Sequence, residues 1–334
     1  MSIHWPDLYF PPINLYSLPR LKSDSGHTEE VSIMHSTIVD LKKNQARLAQ
    51  DPERQYLSAL RTIAEDGVWI ENDRTGQRCK TVIGIDMTYD VGGGAFPLVT
   101  TRKLGIKTAI GELLGYLRGY TDANDFAALG AKSWYANANK TQAWLDSPHR
   151  QGPDDCGQIY GAVARRWPNH DGAKLDILTK IVSNLSAGKD DRGEILTFWN
   201  PGMFELGCLR PCMYEHIFSL EGDVLHMHST QRSADWPIGT CANMVQCYVL
   251  LALMARITGK RPGLVYHRSI NCHIYEPQLE LVEEQLRRDP YETPTLTLDD
   301  RIQTLDDVLT WVTPEHFDVS GYQHHDAIQY PFTE

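Results

Sequence analysis

The stretch from Thr240 to Thr258, "TCANMVQCYVLLALMARIT", is apolar on nearly every side of a helical repeat. A helix without a polar face has to be enclosed by the rest of its chain. Enclosure takes a large core, and 334 residues with 42% hydrophobic content can supply one. The alternative is a membrane. Its most apolar part, Met244 to Ile257, is interrupted by Gln246 and Arg256 and falls short of the roughly 20 apolar residues that a span needs. The N-terminal "MSIHWPDLYFPP" has no basic, apolar, small-residue signal pattern. These features predict a soluble, cytoplasmic protein with 240–258 as a buried helix.

Around that helix the pattern alternates irregularly. Tyr56, Leu57, Leu60, Ile63 and Ala64 make a helical stripe stopped at Gly67. "KTVIGIDMTYDV" reads as a strand, and Gly92–Gly94 as a turn. Residues 107–119 read as a helix with Ile110, Leu113, Leu114 and Leu117 on its core face. Gly111, Gly115 and Gly119 recur along it and form a shallow ridge open to close approach. Residues 174–185 read as a helix, 194–200 and "GLVYHRSINCHIYE" as strands, and "PQLELVEEQLRR" as an amphipathic helix. "CMYEHIFSL" and "VLHMHSTQRS" flank "EGD" as a β-hairpin. This mixture predicts an α+β (mixed α/β) domain over residues 55–334. Residues 1–54 read as an N-terminal extension, with room for one helix at Ile38–Leu48.

The net charge of −11 argues against broad nucleic-acid or membrane-surface binding, but leaves room for a local cationic pocket. The seven cysteines are odd in number and scattered, so no disulfide framework is expected. Without a CxxC pair, no zinc site is expected either. A reactive thiol has to be argued for one position. A hairpin turn centred on Gly222 pairs Cys212 with Arg232. A guanidinium beside a thiol favours the nucleophilic thiolate. The arginine can equally be structural, and the register can slip by one.

Glu112 lies beside the apolar face of its helix. It is either a dry carboxyl of raised pKa, able to act as acid and base, or a glutamate turned to water. Arg74, Arg192 and the Arg232-Ser233 pair make a phosphate clamp together, or are solvated charges singly. Asn243, in the first turn of the buried helix after a Thr240 cap, needs polar neighbours or a ligand's donor–acceptor edge. His273 and Tyr275 alternate along a strand and share a face, where they either hold a ligand hydroxyl or line the core.

From about Gln55 to the C-terminus the chain resembles the thymidylate synthases and the related pyrimidine nucleotide hydroxymethylases. The resemblance is carried, in family order, by "QYLSALRTIAEDGVWIENDRTG", "FPLVTTRK", "GELLGYLRG", Tyr160-Gly161, "FWNPGMFELGCLRPC", "TQRSADWPIG", "NMVQCYVLLALMARITG" and "CHIY". It implies the thymidylate synthase fold, a large mixed sheet packing against its copy in a homodimer. It also implies 5,10-methylenetetrahydrofolate as co-substrate. Cys212 would add to C6 of a pyrimidine, and C5 would then attack the methylene carbon. Arg232 would assist the thiolate and bind phosphate with Ser233 and Arg74, and Arg192 would reach the phosphate of the neighbouring subunit. Glu112 would move protons, Tyr160 would stand near C5, and Asn243 would read the base edge. His273 and Tyr275 would hold the sugar 3′-hydroxyl. Asp235 and Trp134 would line the folate pocket, Asp235 also beside the nucleotide.

Several positions depart from the usual family pattern. Met213 replaces the histidine after the nucleophile, Gly193 follows Arg192 in place of a second arginine, and Gly115 replaces a tryptophan. Ile270-Asn271 precede His-x-Tyr, Tyr135 follows Trp134, and the tail ends Phe332-Thr333-Glu334. Gly115 and the tail predict an open folate side that admits water to the methylene. Met213 predicts a changed polar network at the ring's 4-position. The resemblance pairs Asn at position 243 with uracil and Asp with cytosine, but an amide can read either base by flipping, so Asn243 alone does not decide. Gly115, the tail and Met213 together predict C5 hydroxymethylation of a cytosine nucleotide (CMP or dCMP). The alternatives are dTMP synthesis from dUMP and hydroxymethylation of dUMP.

Overall fold

The apolar stretch forms the helix Cys241–Thr258, and the core closes round every side of it. Met244, Cys247, Val249, Leu250 and Leu251 have no exposed surface. With the preceding turn it is long and apolar enough to cross a membrane, yet it lies inside the protein. Thr240 does not cap it, being helical itself. The chain enters through a π-helical turn, Trp236–Thr240, capped by Asp235, whose carboxylate accepts from the Ile238 N–H at 3.3 Å.

The computed structural model describes residues 49, 51–72 and 76–332. Arg74, Thr333, Glu334 and the helix expected at Ile38–Leu48 lie outside them. The helices that matter here are α1 (Pro52–Asp66), α2 (Ile106–Arg118), α3 (Ala123–Ala128), α4 (Trp134–Lys140), α5 (Ile177–Ser186), α6 (Cys241–Thr258) and α7 (Leu279–Leu286). The strands are β1 (Val68–Asn72), β2 (Gln77–Asp90), β3 (Ile195–Thr197), β4 (Met213–Glu221), β5 (Val224–Asp235) and β6 (Arg261–Tyr275). They form a six-stranded mixed sheet in the order β1-β2-β6-β5-β4-β3. Within it β5 and β6 are parallel and the other pairs antiparallel. Helix α6 packs on β6 and β5, α1 on β2 and α5 on β3. Met227, Ser229, Gln231, Val265, His267 and Ser269 face the core. The opposite face carries His228, Thr230, Tyr266, Arg268 and Ile270, all at least partly exposed.

Expected and observed elements differ in three places. Only Ile195–Thr197 of the 194–200 segment is a strand. The helix expected at 174–185 begins at Ile177, because Asp176 caps it and Lys174-Leu175 pair with Trp167-Pro168. In the β4–β5 hairpin the turn lies between Gly222 and Asp223, so Glu221 faces Val224 and Ile217 faces His228. That register alone would set Ser233 against Cys212. A one-residue bulge at Tyr214 takes up the offset. Met213 then faces Gln231, and the Cys212 carbonyl accepts from the Arg232 N–H at 2.8 Å.

The glycine ridge of α2 receives protein. A Cβ at Gly111 would run into the Leu129 carbonyl oxygen, and one at Gly115 into the Phe126 ring. The space that Gly115 leaves is therefore filled by Phe126, which has no exposed surface. The expectation that Gly115 opens this side is corrected. In an open helix, alanine in place of glycine stabilises by roughly 1 kcal/mol. Gly111→Ala should reverse that sign and lose about 2–3 kcal/mol in denaturant unfolding, because a backbone carbonyl cannot step aside.

Candidate active site

Parallel β5 and β6 bring their C-terminal ends to one side of the sheet, where antiparallel β4 begins. Cys212 stands just before β4 and Arg232 near the end of β5. The Arg232 Nη2 lies 3.8 Å from Cys212 Sγ. The guanidinium is held by the carbonyls of Pro211 (2.9 Å) and Arg210 (3.2 Å) and rests over the Trp199 ring. Cys212 is half-buried, while the other six cysteines are buried free thiols. Cys208 packs against Cys156, whose thiol is pushed far up by the Cys208 thiol beside it and by burial. His216 faces the interior, hydrogen-bonds Ser229 Oγ at 2.8 Å and is held neutral, its pKa lowered by burial to about 3.

The Tyr160 hydroxyl accepts from the Cys212 N–H at 3.1 Å. Its backbone is strained, with φ 38° and ψ −115°. A side-chain-bearing residue held there costs about 1–3 kcal/mol and is tolerated where surrounding contacts over-determine it. The ring lies 4.2 Å from that of Tyr116, nearly parallel to it. Burial raises the phenol pKa well above its ordinary value, and the neighbouring Cys212 adds to the rise.

Glu112 has not turned to water. Its carboxylate accepts from Trp134 Nε1 at 2.9 Å and from Gln246 Nε2 at 2.6 Å. Burial raises its pKa, against the opposing effect of hydrogen bonds from Gln246, Tyr116 and Trp134. From there a chain of amides runs inward. Gln246 Oε1 accepts from Asn243 Nδ2 at 2.9 Å, and Asn243 Oδ1 accepts from Gln231 Nε2 at 2.8 Å. Gln231 Oε1 and His267 Nε2 are 3.1 Å apart, and His267 Nδ1 meets the Tyr89 hydroxyl at 2.9 Å. The amide oxygen can only accept, so Nε2 carries the proton and Nδ1 accepts from Tyr89. Sequence reasoning missed Gln231, Gln246, Tyr116 and Trp199. The available signal was Gln246, a polar residue inside an otherwise apolar helix.

At the C-terminal ends of β5 and β6 the register sets Ser233 beside Asn271 and Asp235 beside His273. Asn271 Oδ1 is 2.9 Å from His273 Nδ1 and orients the histidine. The His273 and Tyr275 rings meet edge to face at 5.1 Å. Asp235 accepts from Gln278 Nε2 at 3.1 Å. Arg192 is brought to none of these groups. It sits in an exposed loop with φ 66°, whose Asp190 accepts from the Leu220 N–H at 2.9 Å. Leu220 is eight residues along the strand from Cys212, about 25 Å away at ~3.3 Å per residue.

A cavity of about 380 Å³ opens beside Glu112, lined by Arg102, Ile106, Ile238, Ala242 and Tyr330 among others. Its mainly apolar walls with one carboxylate suit a flat heteroaromatic molecule that has proton-bearing nitrogens. Trp134 and Asp235 do not face it. Trp134 is 1% exposed and supports Glu112 from behind, and Asp235 is engaged at the helix cap.

Residues 54–334 match the thymidylate synthase family profile. The thymidylate synthase of Vibrio cholerae serotype O1 is 59% identical over 281 residues, covering 84% of this chain and 99% of that protein. Those of Tolumonas auensis and Shewanella sediminis are 58% and 57% identical over the same length and coverage. The chain belongs to the thymidylate synthase family. It is a one-carbon transferase, and its co-substrate is 5,10-methylenetetrahydrofolate.

Within this family member Met213 is a packing residue. It is 1% exposed and its sulfur lies 3.4 Å from Cys247 Sγ on α6. The polar contacts nearby come from Gln231 and Gln246, on either side of Asn243. Asp235 gives a pH test. Its pKa is raised to about 6, chiefly by burial, against about 3.9 in an unfolded chain. The contribution to stability is therefore full below pH ~4 and lost as pH rises through about 6. Between pH 4 and 7 the unfolding free energy of Asp235→Asn should gain on that of the wild type by on the order of 2–3 kcal/mol. A constant difference across that range in denaturant titrations would contradict the assignment.

Proposed function

We propose that this enzyme makes dTMP from dUMP. The observation that carries the reading is the 56–59% identity, over 84% of the chain, to proteins named thymidylate synthase rather than cytidylate hydroxymethylase. One feature that pointed toward hydroxymethylation has changed meaning. Gly115 opens nothing, because Phe126 fills its space and stacks on Trp134 at 5.0 Å. Met213 faces the core. With the space beside it filled, Gly115 offers water no entry, and exclusion of water favours hydride.

In this reading Cys212 Sγ adds to C6 of uracil, which makes C5 a nucleophile. Methylenetetrahydrofolate supplies the one-carbon unit and then the hydride that reduces it. Arg232 stabilises the thiolate and, with Ser233, holds the phosphate. Arg74, outside the described residues, joins them on the resemblance alone. Glu112, with its raised pKa, passes protons at the base and the folate. Tyr160 is placed to assist loss of the C5 proton. Asn243 reads the base edge, and His273 and Tyr275 hold the 3′-hydroxyl. Arg192 stands too far from its own Cys212 to serve that site, so its phosphate is the neighbouring subunit's. The open sheet face with Tyr266 and Ile270 is the surface on which two copies meet as a homodimer.

Incubation with methylenetetrahydrofolate and each of dUMP, dCMP, UMP and CMP, followed by mass analysis, should yield dTMP and dihydrofolate from dUMP alone. A hydroxymethylated product, or turnover of a cytosine nucleotide in its place, would overturn the reading. Cys212→Ala should abolish turnover while Cys208→Ala largely keeps it, and equal loss in both would undo the choice of nucleophile. Inactive Cys212→Ala and Arg192→Ala subunits, unfolded and refolded together, should recover about a quarter of wild-type activity, since half the dimers then carry one complete site. No recovery would place Arg192 outside the shared site.

A further inference from the structure

Gln246 stands in the middle of α6 with none of its surface exposed. A buried amide is tolerated only when its polar atoms are used. Its nitrogen donates to the Ala109 carbonyl at 3.2 Å as well as to Glu112. A backbone carbonyl can only accept, so the nitrogen faces this way whatever the charge on Glu112. The oxygen of Gln246 is thereby turned to Asn243. On the other side of Asn243, the Gln231 nitrogen donates to the Ser233 carbonyl at 3.0 Å, again an acceptor only. Asn243 thus sits between a fixed donor and a fixed acceptor. Only one orientation of its amide satisfies both. Half a turn would set nitrogen against nitrogen and oxygen against oxygen, in a setting where unmade hydrogen bonds are expensive.

We infer that Gln246 is a positioning residue that holds the Asn243 amide in one orientation and so decides which pyrimidine edge it reads. The choice of uracil as that edge rests on the dTMP reading above. The clamp leaves Asn243 one N–H and one oxygen lone pair for the base, in a fixed order. Uracil presents an accepting O4 beside a donating N3–H. Cytosine presents a donating N4 amine beside an accepting N3. A free amide reads either by flipping, as the sequence alone allows. A clamped amide reads one and opposes the other at both atoms. Gln246 therefore works through Asn243 and, by way of Glu112, ties the base reader to the proton-handling carboxylate.

Gln246→Met keeps the length of the side chain and removes both polar atoms. Equilibrium binding of dUMP and of dCMP, measured without folate, reads the effect without turnover. The ratio of the two dissociation constants should shrink by ~10-fold or more in the variant, and the loss in dUMP turnover should appear in KM more than in kcat. Equal weakening of both nucleotides with an unchanged ratio overturns the inference and leaves Gln246 a packing role. Failure of the proposed reaction shows separately. A wild type that prefers dCMP sinks the dTMP reading, whereas collapse of that preference in Gln246→Met still upholds the clamp. Where the variant does not fold, or neither nucleotide binds, selective 15N-asparagine labelling of the wild type decides. An order parameter for the Asn243 Nδ2 group near the ~0.85 of rigid backbone upholds the clamp, and one below ~0.6 overturns it.

Discussion

The burial of α6 on all sides is the constraint on which the rest depends. A helix with no polar face cannot lie at a surface, so the sheet, α2 and α5 are drawn around it. Its N-terminal end must then emerge next to the strands it packs on. That is where β5 runs into the Asp235-capped turn, and where Asn243 is delivered between β5 and α2. The catalytic candidates come together because they hang on the ends of elements that enclose one helix.

Burial on that scale leaves little room for polar groups, and seven of those admitted form one connected chain. From Trp134 through Glu112, Gln246, Asn243 and Gln231 to His267 and Tyr89, each has a partner within 3.1 Å. In a low-dielectric interior such a chain is rigid, because any rotated member strands its neighbours. Rigidity of that kind suits the proposed role, in which the site tells two pyrimidines apart by one pair of hydrogen-bonding atoms. It also makes Glu112 a poor place for a permanent charge, since burial raises its pKa.

Some features were legible in the chain because their physics is local. The stripe of α1, the hairpin around Gly222 and the apolar α6 each follow from side-chain periodicity or turn chemistry. Others were read correctly for an incomplete reason. The pairing of Cys212 with Arg232 was expected from a turn centred on Gly222. It arises from a differently centred turn plus a bulge at Tyr214, two offsets that cancel. Gly115 was misread because a side chain's absence says nothing about what fills the space beside it. Phe126 comes from another part of the chain.

The sequence by itself determined that one helix must be buried, which helices and strands accompany it along the chain, and that the chain resembles thymidylate synthases. Those follow from periodicity and motif order, which one chain carries along its length. Tertiary structure decided whether the pocket wall is open, which way Glu112 faces, and that Gln246 and Gln231 hold Asn243 between them. These depend on the direction in which donors and acceptors meet across α2, β5 and α6, and direction exists only once the elements have packed.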